Sequence, residues 1–412
     1  MGEKRVVVTG MGGISPLGAS WPEIHARLKA RKNAVRFMTE WADIEGLRTC
    51  LGAPAVSFTL PAERYPRKAT RSMGRVALLA CRAAELALAD AGLVDNTALL
   101  TSGRVGVAYG SSAGSVAAIA DFGRMIETRV VNGLTANSYI RMMGHTTPVN
   151  IAVLFGLQGR VYTTSSACTS GSQGIGYACE AIRQGQADVM IAGGAEELDA
   201  ADAAVFDTLF ATSTRNDTPE ATPRPFDRDR DGLVIGEGAG ALILEDFTHA
   251  RARGASILAE VVGFGTNCDG AHITQPQAPT MANAMRLALA DAKLPASAIG
   301  YINGHGTATD AGDIAESHAT HEIFGQQTPF STVKGYIGHT LGAAGALEAW
   351  WTIAMLREGW FSPNLNLVHP DPRCADLAYI TGTGLARDCE YAMSNNFAFG
   401  GINTSLVFRK LT

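Results

Sequence analysis

The chain is 412 residues long, 46% hydrophobic and 18% charged, with 34 Lys and Arg against 39 Asp and Glu for a formal charge of −5. These values describe a globular protein large enough for two domains or one duplicated domain, and they give no footing for nucleic-acid binding. No apolar run is long enough to cross a bilayer and no signal peptide is expected before the strand-like Val6-Val7-Val8; seven cysteines without CxxC spacing indicate a reducing cytoplasm, not a disulfide or zinc framework.

Taken in chain order, Arg5 to Gly10 reads as a strand and Arg71 to Ala91 as a helix. Pro66 in "RYPRKATR" suits the first turn of that helix, which places Arg67, Lys68, Arg71 and Arg75 near its start as a local basic patch. A second strand is expected over Arg104 to Tyr109, just before "GSSAGS". Gly159 to Thr164 has strand bias and Ser170 to Gln184 has helical spacing, so "TTSSACTSGSQG" reads as strand, turn and helix with Cys168 at the turn. A thiol there faces unpaired N–H groups and the positive end of the helix dipole, which favour thiolate. Cysteine is also a common core residue, so the turn alone leaves reactive and packing roles open.

Further strands are expected over Val189 to Ala192, Ala239 to Leu244, Ile257 to Phe264 and Tyr301 to Asn303, with helices over Thr280 to Ala292 and Ala343 to Glu358. Strands alternating with helices imply a buried parallel sheet covered by helices. The polar stretch "NDTPEATPRPFDRDRD", residues 216–231, reads as a long ordered surface loop. Gly236-Glu237-Gly238 precedes a strand instead of opening a helix, so sheet packing explains it better than a dinucleotide site does.

Two histidines stand in glycine-framed turns. His305 lies in "INGHGTATDAGD" and His339 in "STVKGYIGHTLGAAGALE", with Lys334 five residues before it. Small flanking residues let a ligand approach the imidazoles closely. A turn-mounted thiol, two such histidines and a lysine together form a set suited to acyl chemistry. Histidines 25, 145, 249, 272, 318, 321 and 369 lack this setting.

The segments "SSACTSGSQGIGYA", "DVMIAGGAEE", "RPFDRDRDGLVIGEGAGALILE", "NGHGTATDAGD", "KGYIGHTLGAAGALE" and "SNNFAFGGINTSLVF" resemble, in order, the motifs of β-ketoacyl-acyl carrier protein synthases of the elongating Cys-His-His class. "RVVVTGMGGISPLG" extends the likeness from residue 5 to the C-terminus. The resemblance implies the thiolase fold, an α/β architecture of two similar halves in a five-layered α-β-α-β-α arrangement, here over residues 1–255 and 256–412. It implies decarboxylative Claisen condensation, with Cys168 holding the acyl chain and His305 and His339 binding the malonyl thioester. Lys334 is expected to set the electrostatics with Glu316 as its partner. The N–H groups of Cys168 and Phe399 would form the oxyanion hole, and Phe399, followed by two glycines, would gate the site. Ala113 and Phe206 are expected in the acyl tunnel, which a small residue at 113 would widen. Arg67, Lys68 and Arg71 are expected to dock the acidic acyl carrier protein.

A homodimer is implied, with a heterodimer with a chain-length factor as the alternative; no cofactor, metal or membrane anchor is expected. A biosynthetic thiolase is disfavoured by "NNFAFGG" in place of a C-terminal CxG, an initiating type III synthase by the histidine pair, and a non-condensing chain-length factor by the presence of Cys168. Asp310 in place of a common proline, Gly304 in place of alanine, and the polyketide-like wording "TVKGYIGH" leave the substrate open between fatty-acid and aryl-polyene or other polyketide pathways.

Overall fold

Val6–Ile14 (β1) is buried along its whole length, so its small and β-branched residues are covered on both faces. In the computed structural model, which describes residues 4–411, β1 lies at the middle of an eleven-stranded sheet. The N-terminal half supplies Val105–Gly110 (β2), Val161–Thr163 (β3), Val189–Glu196 (β4) and Gly238–Asp246 (β5). The C-terminal half supplies Ala259–Cys268 (β6), Ile299–Asn303 (β7), Pro329–Ser331 (β8), Ala378–Tyr379 (β9), Tyr391–Phe397 (β10) and Ile402–Arg409 (β11).

The strand order is β9-β8-β7-β10-β11-β6-β1-β5-β4-β2-β3. Read outward from the β6–β1 junction, each half repeats one pattern: β1-β5-β4-β2-β3 and β6-β11-β10-β7-β8. The junction is short, pairing Val7 with Glu260 and Val8 with Ala259.

Six longer helices cover these strands: Arg75–Asp90 (α1), Thr146–Phe155 (α2), Ser170–Arg183 (α3), Ala278–Ala292 (α4), Asp310–Phe324 (α5) and Ala344–Glu358 (α6). The first half packs its outer face on α1 and α2, and α4 covers the second half with α5 packed beside it. Between them, α3 and α6 touch strands of both halves and each other. Separate apolar clusters fill the three interfaces, giving the five layers of the thiolase fold. No helix among the described residues is long and apolar enough to cross a membrane.

Glycine explains the close crossing of the central helices. A Cβ on Gly171 would stand 2.7 Å from the backbone N of Ala346, and one on Gly345 would stand 2.6 Å from that of Ser172. The glycines of "SGSQG" and "GAAGA" therefore let one helix N-terminus nest against the other, which brings their preceding turns into one place.

Three sequence expectations change. The sheet is mixed: β2 pairs in parallel with β3 and β4, and β7 with β8 and β10, but β5 and β11 run antiparallel to both of their neighbours. The chain re-enters the sheet where it left it, with Glu196 opposite Gly238, so no crossover to the other end occurs. The helix expected from Pro66 to Ala91 is broken into a turn at Arg67–Thr70 and α1. Gly74 between them is extended, and Ser115 occupies the space where its Cβ would be. The polar loop at residues 216–231 also reaches inside: Phe226 and Asp227 are buried, and Asp227 accepts the N–H groups of Val368, His369 and Asp229.

Candidate active site

Each reactive side chain sits on a turn at one end of the sheet. After β3 the chain makes a single 3-10 turn at Ala167–Thr169 before α3 begins. Ala167 is left-handed, with φ of 52°, an uncommon state for a residue with a Cβ. After β8, a short helix over Lys334–Ile337 leads to His339 and then a 3-10 turn at Leu341–Ala343 ahead of α6. Leu341 is again left-handed, at 45°, and so is Ala308, at 66°, in the turn after β7 that carries His305. Non-glycine strain of this kind is a feature of functional turns.

The three turns converge. His339 Nε2 lies 2.9 Å from Cys168 Sγ, and the two imidazole rings meet edge to face at 5.0 Å. Donor atoms of Cys168, His305 and His339 all lie within 4.8 Å of one another. All three residues are buried. They open onto a cavity of about 410 Å³ whose wall includes Phe206, Phe399, Thr307 and Thr309.

Hydrogen bonding fixes how the imidazoles present themselves. Lys334 Nζ, which can only donate, lies 3.1 Å from His305 Nδ1, and Asn396 Nδ2 lies 3.4 Å from the same atom. Leu341 N–H donates to His339 Nδ1 at 3.3 Å. With both Nδ1 atoms acting as acceptors, each neutral ring carries its proton on Nε2. The site therefore offers two convergent N–H donors. The same tautomers leave no free Nε2 lone pair, so the triad is set up for oxygen recognition better than for metal ligation. Burial, reinforced by the Lys334 charge, holds both imidazoles well below the usual histidine range.

Lys334 is 1% exposed and pairs with Glu348, Nζ to Oε1 at 2.5 Å, while Asn396 donates to the other carboxylate oxygen at 2.6 Å. This corrects the expected Lys334–Glu316 pair. Glu316 instead accepts the backbone N–H groups of His305 and Gly306, at 2.6 and 2.7 Å, and so holds the first histidine turn. Sequence reasoning missed Glu348 and Asn396. The signal was present: Glu348 is a lone acid on the buried stretch of α6, where an unpaired carboxylate would be costly.

The thiol also differs from expectation. Backbone N–H groups of Phe399 and Cys168, with Lys334, do favour its anion, but burial outweighs them and pushes Cys168 up to about 11. The resting form at neutral pH is thus the thiol, with donors already in place for negative charge on the species that forms there.

Phe399 packs on Phe206 with centroids 5.0 Å apart and the rings tilted by 40°, and Gly400 and Gly401 after it both have positive φ, at 87° and 74°. Ala113 is half-buried and does not line the cavity. It follows Ser112, whose N–H donates to Glu196 at 2.8 Å; Glu196 also accepts from Gly342. Arg67, Lys68 and Arg71 are exposed, whereas Arg75 is tied to buried Glu237.

A duplicated sheet with a buried Cys-His-His centre between its halves defines a thiolase-fold condensing enzyme. The family models for the β-ketoacyl synthase N-terminal and C-terminal domains match residues 3–250 and 258–368, and the chain belongs to that family, an acyltransferase class. It is 37% identical to 3-oxoacyl-[acyl-carrier-protein] synthase 1 of Escherichia coli K12, with 99% of each chain covered. It is 60% identical to a β-ketoacyl synthase structure from Burkholderia phymatum, with a TM-score of 0.98 over 99% of this chain and 100% of that one. At 30% identity and a TM-score of 0.88, with both chains fully covered, it matches a type II polyketide-synthase ketosynthase solved with its acyl-carrier protein.

Proposed function

We propose that this chain extends a carrier-bound acyl or polyketide chain by two carbons. Cys168 Sγ attacks the acyl thioester, and its thiol proton ends on the departing carrier sulfur, which leaves as the carrier thiol. Malonyl thioester then enters and loses carbon dioxide, leaving an enolate whose oxygen accepts hydrogen bonds from His305 and His339 Nε2. The enolate carbon attacks the acyl-Cys168 carbonyl, held by the N–H groups of Cys168 and Phe399, and the thiolate leaves. One donor of this kind is worth about 2.7–4 kcal/mol of barrier. The convergence of two Nε2–H groups beside one sulfur is the observation that carries the reading. Incubation with acyl-carrier and malonyl-carrier protein should give a 3-oxoacyl product two carbons longer and a transient adduct on Cys168, both visible by mass spectrometry. With no product from any chain length in a panel, the assignment fails.

The donors need no proton from solution. Both histidines have depressed pKa values, so their neutral forms stay fully populated from pH 6 to 8, and protonation begins only at lower pH. Decarboxylation of malonyl-carrier protein by a Cys168→Gln variant should therefore be flat across that window. An inflection near pH 6.5 would show that a histidine titrates during turnover.

Phe206, which lines the cavity, is proposed as an acyl-side wall, and Ala113 as a tunnel residue beyond that cavity, next in sequence to Ser112, whose N–H donates to Glu196. The two halves are proposed to divide near residue 255, between β5 and β6. A homodimer is supported by β3 at the sheet edge, where Val161 is exposed, and by exposed Ile126, Val130, Val131 and Val153. A heterodimer with a chain-length factor would use the same edge. No disulfide joins the described cysteines, which fits a reducing cytoplasm.

Arg67, Lys68 and Arg71 are proposed to dock the acidic carrier protein. Reversing Arg67 and Lys68 to glutamate should raise KM for acyl-carrier protein several-fold at low salt, with the difference shrinking as salt screens the wild type. An equal rise with a carrier-free thioester would place the defect in the active site.

A further inference from the structure

At the lip of the cavity, Phe210 is 77% exposed, and Leu209 and Ile273 beside the same opening are 46% and 70% exposed. Phe210 is also left-handed, with φ of 55°, a genuine outlier for a bulky side chain. Its surroundings hold it there. Phe210 N–H donates to the Asp207 carbonyl at 3.0 Å, and the Arg48 guanidinium lies 4.2 Å from the ring centroid. Arg48 is itself bound to the Asp207 carbonyl at 2.6 Å and to its carboxylate at 3.1 Å, and that carboxylate accepts Thr212 Oγ1 at 2.6 Å. A strained, scaffolded aromatic pointing to solvent has no packing role to explain it.

Resting on the carrier-dependent reading above, we propose that Phe210 is an aromatic anchor for the acyl carrier protein. Leu209 and Ile273 form an apolar crescent around it, and Arg48, already paired with Asp207, braces the ring. The occupant follows from position: a thioester on a carrier arm must enter through this mouth, so the protein presenting the arm covers this rim. The surface fits an exposed apolar side chain on the face of the carrier protein that presents the arm. An aromatic fixed before binding loses little side-chain entropy on docking, which is the usual character of an interface hot spot. The crescent would thus supply affinity, with the cations at 67–71 adding electrostatic attraction.

Phe210→Asn removes the ring while keeping a residue that tolerates the left-handed backbone, so the fold should persist, checked by melting temperature. The measurement is KM for malonyl-carrier protein divided by KM for malonyl-N-acetylcysteamine, in wild type, Phe210→Asn and Phe210→Trp. The ratio should rise at least tenfold in Phe210→Asn and return toward wild type in Phe210→Trp. An unmoved ratio overturns the proposal. Equal loss with both donors also overturns it, because the ring would then act on the thioester inside the cavity. A change in sedimentation from dimer to monomer would reassign the crescent to a second copy of the chain. Wild-type protein that condenses neither donor sinks the carrier-dependent reading itself, an outcome separate from the other three.

Discussion

Replacing Cys168 by alanine is expected to abolish condensation, with a loss on the order of 10⁴-fold or more, because it removes the one thiol among the described residues that line the cavity. Replacing it by glutamine should abolish condensation too, yet keep decarboxylation of malonyl-carrier protein. The amide carbonyl can take the place of the acyl-thioester carbonyl against the N–H groups of Phe399 and residue 168. His305 and His339 keep their Nε2–H donors, since Lys334 and Leu341 set those tautomers from the far side of each ring. Conversion of malonyl- to acetyl-carrier protein, followed by mass spectrometry, separates the two half-reactions. Undiminished condensation by Cys168→Ala would remove the nucleophile assignment. Loss of decarboxylation in Cys168→Gln, with the fold intact, would mean that the sulfur itself takes part in enolate formation.

That Cys168, His305 and His339 would meet was legible because the setting of each is local. Cys168, His305 and His339 each sit on a turn crowded with small residues, and such turns follow strands that the β-branched pattern already marks. Assembly was less legible. Glu316 follows His305 on the next helix, so sequence proximity favoured it as the partner of Lys334. Glu348 reaches Lys334 only because α6 crosses between the halves with its acid pointing inward. The break at Gly74 was hidden for a related reason: helical spacing continued through it, and the contact that excludes a Cβ comes from Ser115. Strand direction failed differently. Alternating strands and helices suggest parallel pairing, but the long return from Glu196 to Gly238 ends where it began, and no periodicity encodes that. Phe210 was passed over because its exposure and its backbone strain exist only in three dimensions.

Lys334→Met should be the most informative change away from the reacting atoms, because Lys334 acts through His305. Without the ammonium, His305 Nδ1 keeps only the longer Asn396 contact, so its proton is no longer confined to Nε2 and the enolate loses a fixed donor. Decarboxylation should fall by about 10²–10³-fold, the cost of one such donor. The same change leaves Glu348 buried without its cation, and breaking a buried pair costs about 3–5 kcal/mol of stability. Burial already raises the Glu348 pKa even with Lys334 in place; without the lysine it should rise further. A folded-state pKa above the unfolded value is a stabilising contribution present at low pH and lost on going up, so the variant's destabilisation should be smallest below pH 4.5 and grow as pH climbs through the raised value. Adding Glu348→Gln removes the orphaned charge, and the double variant should melt near wild type at pH 7 while decarboxylation stays low. Recovery of both stability and decarboxylation in the double variant would reduce Lys334 to a structural counter-ion. Wild-type decarboxylation in Lys334→Met alone would show that the His305 tautomer needs no lysine to hold it.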